Sequence, residues 1–310
     1  MVGYRMHKVL VIVGPTAVGK TSLSIKLAKK LNGEVISGDS MQVYRKLDIG
    51  TAKITNDEMD GIPHHLIDIL DVNEEYSASE FVKSANSLIE EITKRNKLPI
   101  IVGGTGFYIQ ALLDGLVLGG EFDSDQAYRD KLHQFSLDNG SKLLWDKLND
   151  IDPKAADKIP KSNERRIIRA LEVYHHTGEL FSEQNNKEVT LDSYVIALNT
   201  DRQVLYDRIN QRVDLMIENG LIDEAKWLWN QPNDDLPALK GIGYREFSGY
   251  FDNQKDLNSV VDSIKQDSRH YAKRQLTWFR NKMNVTWYDT ISNMDSEKKI
   301  EKDVSNWLNK

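Results

Sequence analysis

Gly14-Pro15-Thr16-Ala17-Val18-Gly19-Lys20-Thr21 follows an apolar run at 8–13 and opens a periodic stretch at 20–31. The eight residues fit G-x-x-x-x-G-K-[ST], and a strand before and a helix after give that pattern its meaning. The run 8–13 reads as a buried strand. Leu23, Leu27 and Leu31 at i, i+4 and i+8 make 20–31 a helix with one apolar side. The two glycines let the backbone wrap closely around an anion, which main-chain N–H groups and the positive helix end then cradle. Lys20 adds a point charge, and Thr21 is placed to hold Mg²⁺ beside phosphate oxygens. The competing reading is a glycine-rich turn without a ligand. The motif specifies a diphosphate-bearing ligand; it names neither ATP nor the bond broken.

Outward from the loop, short strands at 34–37 and 99–102 alternate with a helix at 79–95, which predicts a parallel sheet wrapped by helices. From Asp123 to about Gln184 the patterns are helical, with one stripe of Leu132, Phe135, Leu143, Leu144 and Leu148 and another of Ile167, Ile168, Leu171 and Val173. A strand at 193–198, helices at 202–219, 221–231, 242–251 and 257–282, a strand at 285–288 and a terminal helix follow. The expected class is α/β, with a P-loop core at 1–116 and 191–310 and a mainly helical insertion at 117–190. The tail after Asp289 reads as a solvated helix.

Of 310 residues, 40% are hydrophobic and 28% charged, which excludes a disordered or collagen-like chain. Zero cysteines exclude disulfides, a thiolate zinc site and a cysteine nucleophile. No apolar run is long enough for a membrane span, so a cytoplasmic protein is expected. A net charge of −6 gives no global pull toward nucleic acid, and a polyanion would need local basic patches. Lys265, Arg269 and Lys273 recur at helical spacing, continued by Arg274, Arg280 and Lys282 among Tyr271, Trp278 and Phe279, whose planes are expected to stack on unpaired bases; Arg165, Arg166 and Arg169 form a second patch. The competing reading of both is a solvated helix face.

Common partners of the loop are missing. The strand 99–102 ends in Gly103-Gly104 where a Walker-B aspartate would stand, and Asn96-Lys97-Leu98-Pro99 lacks the aspartate of a guanine-reading motif. A motor ATPase or GTPase switch is disfavoured. Asp39 follows the second strand and should face the same crevice, as a general base or acceptor anchor. Its spacing to Gln42 also fits a capping box. His64-His65 and His175-His176 lack partners at ligand spacing and read as structural or surface residues. Trp227 and Trp229 read as helix packing.

In order along the chain stand GPTAVGKT, SGDSMQVY (37–44), DIGTAK (48–53), PHHLID (63–68), GGTGFY (103–108), ERRIIRALEV (164–173), LKGIGYRE (239–246) and YAKRQLTWFR (271–280). This ordered set resembles the tRNA dimethylallyltransferases, also called tRNA isopentenyltransferases, from about residue 8 to about 290. Val18 stands where the family commonly has serine, a small departure because the loop binds through its backbone. The resemblance implies transfer of a dimethylallyl group from dimethylallyl diphosphate to N6 of adenosine 37 in the tRNA anticodon stem-loop, with Mg²⁺ as cofactor. It implies Asp39 as general base, Thr16 and Thr105 lining the reaction channel, and Arg212 on the diphosphate. It implies diphosphate binding by Gly14, Pro15, Thr16, Ala17, Val18, Gly19, Lys20 and Thr21. Implied tRNA contacts are Asp39, Ser40, Met41 and Gln42; Glu164, Arg165, Arg166, Ile167 and Ile168; and Lys240, Gly241, Ile242, Gly243, Tyr244 and Arg245. Arg269, Lys273 and Arg274 join them from the basic helix. Taken alone, Thr105 also reads as a helix N-cap, and Arg212 as an exposed charge paired with Asp214 or Glu218. A monomer is expected. The other readings are a P-loop kinase of a nucleoside or small metabolite and a non-catalytic nucleotide-sensing RNA-binding module. A kinase has no use for the long basic–aromatic far half; a sensing module would tolerate loss of Asp39.

Overall fold

The computed structural model describes residues 6–118, 125–184, 186, 188–233 and 235–310. The chain divides into two units, Met1–Leu113 with Thr190–Lys310, and Asp114–Val189, against the insertion expected at 117–190. Asp123, where helical patterning was expected to begin, lies outside the described residues.

The larger unit starts with β1 (His7–Val13), whose last five residues are buried on both faces, as an apolar run in a covered parallel sheet should be. Then come α1 (Lys20–Leu31), β2 (Gly33–Ser37), the one-turn α2 (Asn56–Met59), the two-residue β3 (His64–His65), α3 (Ala78–Lys94), β4 (Leu98–Gly103) and α4 (Gly106–Leu113). The capping box of Ser77 and Glu80 fixes the start of α3. After the insertion follow β5 (Leu191–Leu198), α9 (Arg202–Glu218), α10 (Leu221–Trp229), α11 (Leu257–Lys282), β6 (Thr286–Tyr288) and α12 (Ser296–Leu308), which leaves α5 to α8 for the smaller unit.

The strand order is β3-β2-β4-β1-β5-β6, and every pair is parallel. From β1 the chain moves first to one side (β2, β4) and then to the other (β5, β6). The crevice beyond the carboxyl ends of β1 and β4 is therefore the switch point, where open α/β sheets bind ligands. Alternation along β1 separates two cores. Leu10 and Ile12 pack with Leu23 and Leu27 of α1, Leu205 and Ile209 of α9, and Ile300 and Val304 of α12. Val9, Val11 and Val13 pack with Phe81, Ala85 and Ile89 of α3, Ile109 of α4 and Phe279 of α11. A third cluster joins Val43, Tyr44 and Leu47 to Val213, Leu221, Leu228, Val260 and Ile264.

Three expectations are corrected here. Residues 242–251 form no α-helix but turns around a 3-10 turn at Arg245–Phe247, because Gly243 at φ +93° and Gly249 at φ +78° take left-handed backbone that a helix excludes. The tail after Asp289 is not a solvated helix: α12 buries Ile300, Val304 and Trp307, and the Trp307 indole donates to Asp192 Oδ1 at 2.8 Å. Phe279 is fully buried and unavailable for stacking on a base. Among the described residues no helix is long and apolar enough to cross a membrane.

The smaller unit is helical: α5 (Gln126–Asn139), α6 (Ser141–Ile151), α7 (Pro153–Lys158) and α8 (Glu164–Thr177). Leu132, Leu144, Leu148, Ala156, Ile167 and Leu171 form its core, whereas Leu143 faces outward. The fully buried Glu172 accepts from Arg129 Nε at 2.8 Å, Arg169 Nη1 at 2.6 Å and the Asp125 N–H at 3.0 Å. Arg169 is thus a structural partner of Glu172 and of the Leu118 carbonyl, not part of a free basic patch.

Candidate active site

The phosphate loop runs from the end of β1 into α1. Ala17 sits at φ +64° and Gly19, the N-cap of α1, at φ +95°. Lys20 turns back so that Nζ donates to the carbonyls of Gly14 at 3.0 Å and Pro15 at 2.7 Å. Its pKa is lowered to about 7, first by burial and then by the Arg212 guanidinium, with Asp39 pulling the other way. Thr21 is exposed, and its hydroxyl has no partner among the described residues.

Helix α9 presents two arginines to this loop. Asp201 caps it through the N–H groups of Gln203 and Val204, and Leu205, Ile209 and Val213 bury its apolar face. Arg208 and Arg212, one turn apart, then lie together. Arg212 Nη1 donates to Thr16 Oγ1 at 3.2 Å, and Arg208 Nε to the Ala17 carbonyl at 2.9 Å. Burial holds the Arg212 pKa below its usual value, while Asp39 favours its charge. Among the described residues Arg212 pairs with neither Asp214 nor Glu218: it turns to Thr16, and Asp214 holds Lys265 at 2.6 Å.

Asp39 and Thr105 occupy the loops after β2 and β4. Asp39 Oδ1 accepts from the Met41 N–H at 2.8 Å and the Gln42 N–H at 3.3 Å, making an Asx turn. No helix begins there, and Gln42 is engaged by the Ser37 hydroxyl, so the capping box is not formed. Asp39 Oδ2 has no hydrogen-bond partner among the described residues. The Thr105 side chain does not cap α4; Oγ1 accepts from the Ser40 N–H at 3.1 Å and so ties the β4 loop to the Asp39 loop. Deeper struts fix the segment after Asp39. Lys53, almost fully buried, reaches Asp48 at 2.6 Å, Asp68 at 2.5 Å and the Tyr44 carbonyl at 2.8 Å. Glu224 of α10 accepts from the N–H groups of Asp48, Ile49 and Gly50 and from the Tyr244 hydroxyl at 2.7 Å.

Helix α11 closes the arrangement with two residues that sequence reasoning did not single out for this role. Gln275, 5% exposed, accepts from the Thr16 N–H at 3.1 Å and donates to the Gly104 carbonyl at 2.9 Å. Tyr271, one turn earlier, has its hydroxyl pushed up to about 12 by burial and then by nearby Asp39. Arg208 was also missed. The available signal for Tyr271 and Gln275 was their i, i+4 spacing within YAKRQLTWFR.

The residues expected to contact tRNA divide. Ile167 and Tyr244 are fully buried and Ile168 nearly so, because each fills a core, so none can present a side chain to a partner. Gly243 is buried. Glu164 accepts from Ser136 and His133. Lys240 pairs with Asp235 at 2.7 Å, and Arg245 with Glu246 at 2.9 Å and Asp267 at 2.5 Å. Arg269 donates to Asn210 at 2.6 Å; with the Lys265–Asp214 pair it struts α11 against α9. Arg165, Arg166, Lys273 and Arg274 are exposed cations without an ion pair among the described residues, and Arg274 lies 5.7 Å from the Tyr271 ring centre. Ser40 and Met41 are half-buried at the crevice. His64 bonds to the Ile62 carbonyl, His65 to Glu34, and His175 stacks on Tyr128, all structural roles. Trp229 donates to the Tyr244 carbonyl at 2.9 Å, a packing role.

A family model described as IPP transferase matches residues 42–282. The tRNA dimethylallyltransferase of Limosilactobacillus reuteri is 56% identical over 307 residues, covering 98% of this chain and all of that one. That of Levilactobacillus brevis is 54% identical over 303 residues, covering 98% and 99%. The crystal structure of a full-length tRNA isopentenylpyrophosphate transferase from Bacillus halodurans is 50% identical, covers 98% of this chain and 97% of its own, and superposes with a TM-score of 0.74. A eukaryotic dimethylallyltransferase described as acting on tRNA is 32% identical, covers 96% and 80%, and gives 0.83.

Proposed function

The chain belongs to the IPP transferase family and transfers a dimethylallyl group to tRNA, and from that premise we propose how its residues divide the work. The donor is dimethylallyl diphosphate, and the acceptor is N6 of adenosine 37 in the anticodon stem-loop. Backbone N–H groups of residues 14–21 and the amino end of α1 hold the diphosphate, with Lys20 and Arg212 as its cationic partners. Thr16 and Thr105 line the channel. As N6 forms its bond to the allylic carbon, the C–O bond to diphosphate breaks and the N6 proton passes to Asp39 Oδ2.

The observation that carries this reading is the convergence of three carboxyl-end loops. Lys20 and Arg212 both feel the Asp39 carboxylate, whose outer oxygen is unpartnered. Mg²⁺ fits the residues present. Thr21 offers one exposed hydroxyl at the loop mouth, and no cluster of three or more His, Cys, Asp or Glu exists among the described residues. Such a hard cation takes most of its ligands from substrate phosphate and water. Bound there with Thr21, it supplies further neutralisation of the leaving diphosphate. Arg165 and Arg166 on the smaller unit, and Lys273 and Arg274 on α11, serve the tRNA backbone, and a loop nucleotide costs little to extrude. We take the chain to act as a cytoplasmic monomer.

The test is incubation with Mg²⁺, labelled dimethylallyl diphosphate and unmodified tRNA, followed by nucleoside mass analysis. The expected product is adenosine carrying the five-carbon group on N6. No transfer when both ligands bind refutes the proposal.

A further inference from the structure

We propose that Gln275 is a positioning residue that sets the spacing between the diphosphate cradle and the acceptor loops, and that it does so from the helix that carries Lys273 and Arg274. The inference rests on the transfer reaction proposed above. The carboxamide is the one side chain among the described residues that hydrogen-bonds both the phosphate loop, at the Thr16 N–H, and the loop after β4, at the Gly104 carbonyl. A glutamine satisfies such a bridge because it accepts at one atom and donates at the other.

The bridge extends on both sides. Thr16 is gripped through its hydroxyl by Arg212, and Thr105, next to Gly104, holds the Ser40 N–H beside Asp39. Donor-side and acceptor-side groups are therefore linked through one buried amide. Gly104 has no side chain because Gln275 leaves no room: a Cβ there would collide with Nε2. Gln275 is also one residue from the exposed Lys273-Arg274 pair, so RNA held by those cations bears on the same turn of α11. A displacement of about 1 Å between reacting groups costs on the order of 10²-fold in rate, which is why this amide matters to turnover.

The experiment compares the wild-type chain with Gln275→Leu, Gly104→Ala and the double variant. Dimethylallyl diphosphate binding measures the folded, competent fraction, and steady-state transfer to an unmodified anticodon stem-loop is then scaled to it. Each single variant is expected to lose about 10–100-fold in kcat with both KM values within about threefold. The double variant should be no worse than the more severe single, since both break one link. Gln275→Glu keeps the acceptor and the packing but loses the donor, so it should show the same kcat loss even where the leucine variant does not fold. Unchanged kcat per competent site, losses confined to KM, or multiplicative losses in the double variant overturn the inference. No transfer by the wild-type chain refutes the functional reading instead.

Discussion

Binding of a diphosphate beside Lys20, as proposed above, is expected to take up a proton. Its pKa in the ligand-free protein is about 7, lowered by burial and by Arg212. At pH 8 about nine-tenths of the chains then carry a neutral amine, while a diphosphate ester is fully ionised there, its last ionisation lying near pH 6. A bound diphosphate beside Nζ favours the ammonium, so the pKa rises on binding and about 0.9 proton is taken up per ligand at pH 8, about 0.5 at pH 7 and almost none well below. The sign follows: affinity falls as pH rises through 7, by roughly fivefold from pH 7 to 8 and roughly 50-fold by pH 9. The assay is calorimetric titration with dimethylallyl diphosphate, without tRNA, in HEPES and in Tris at equal pH. The two enthalpies differ by the proton count times the difference in buffer ionisation heat. Arg212→Gln should return Lys20 toward its ordinary value and shrink the uptake, and Lys20→Met should abolish it. No uptake at pH 8 by the wild-type protein, or undiminished uptake by Lys20→Met, refutes the reasoning.

Asp39→Asn should lower turnover by roughly 10²–10⁴ while diphosphate still binds; lost binding would contradict a base role. Lys273→Ala with Arg274→Ala should flatten the slope of log affinity for a stem-loop against log salt by about 1.4, at roughly 0.7 for each phosphate no longer neutralised; an unchanged slope removes α11 from the RNA-binding surface. Burial alone would raise the Glu34 pKa, but bonds from Lys97, His65 and Arg95 hold it at about 2. Its contribution to stability is therefore present above pH 4.5 and lost as pH falls toward 2. The acid-side fall in Tm should be shallower in Glu34→Gln, and equal falls would show the cluster irrelevant.

The elements with strong periodicity were legible from the residues. The run at β1, the leucines of α1 and the stripe of Ile167, Ile168, Leu171 and Val173 on α8 each encode a buried face within one short stretch. Pieces decided by distant partners were not. The strand β3 exists only because His64 and His65 pair with Val35 and Ile36, and two residues carry no period. The segment 242–251 has helix-like composition, yet Tyr244 is turned to meet Glu224 and Gly50. The basic stripe of α11 looked uniform, but Lys265 and Arg269 face α9 while Lys273 and Arg274 do not.

By itself the sequence determined that a loop with the P-loop pattern stands between a buried strand and a helix. The order of its motifs was enough to name the chemistry. Those are properties of contiguous residues, because N–H groups that hold an anion are consecutive along one turn. What only the tertiary structure decided is which groups meet around that loop. Arg208 and Arg212 come from α9, Tyr271 and Gln275 from α11, and Asp39 and Thr105 from the loops after β2 and β4. Their sequence separations run to more than two hundred residues, and only the packing of a parallel sheet with its helices brings them to one crevice.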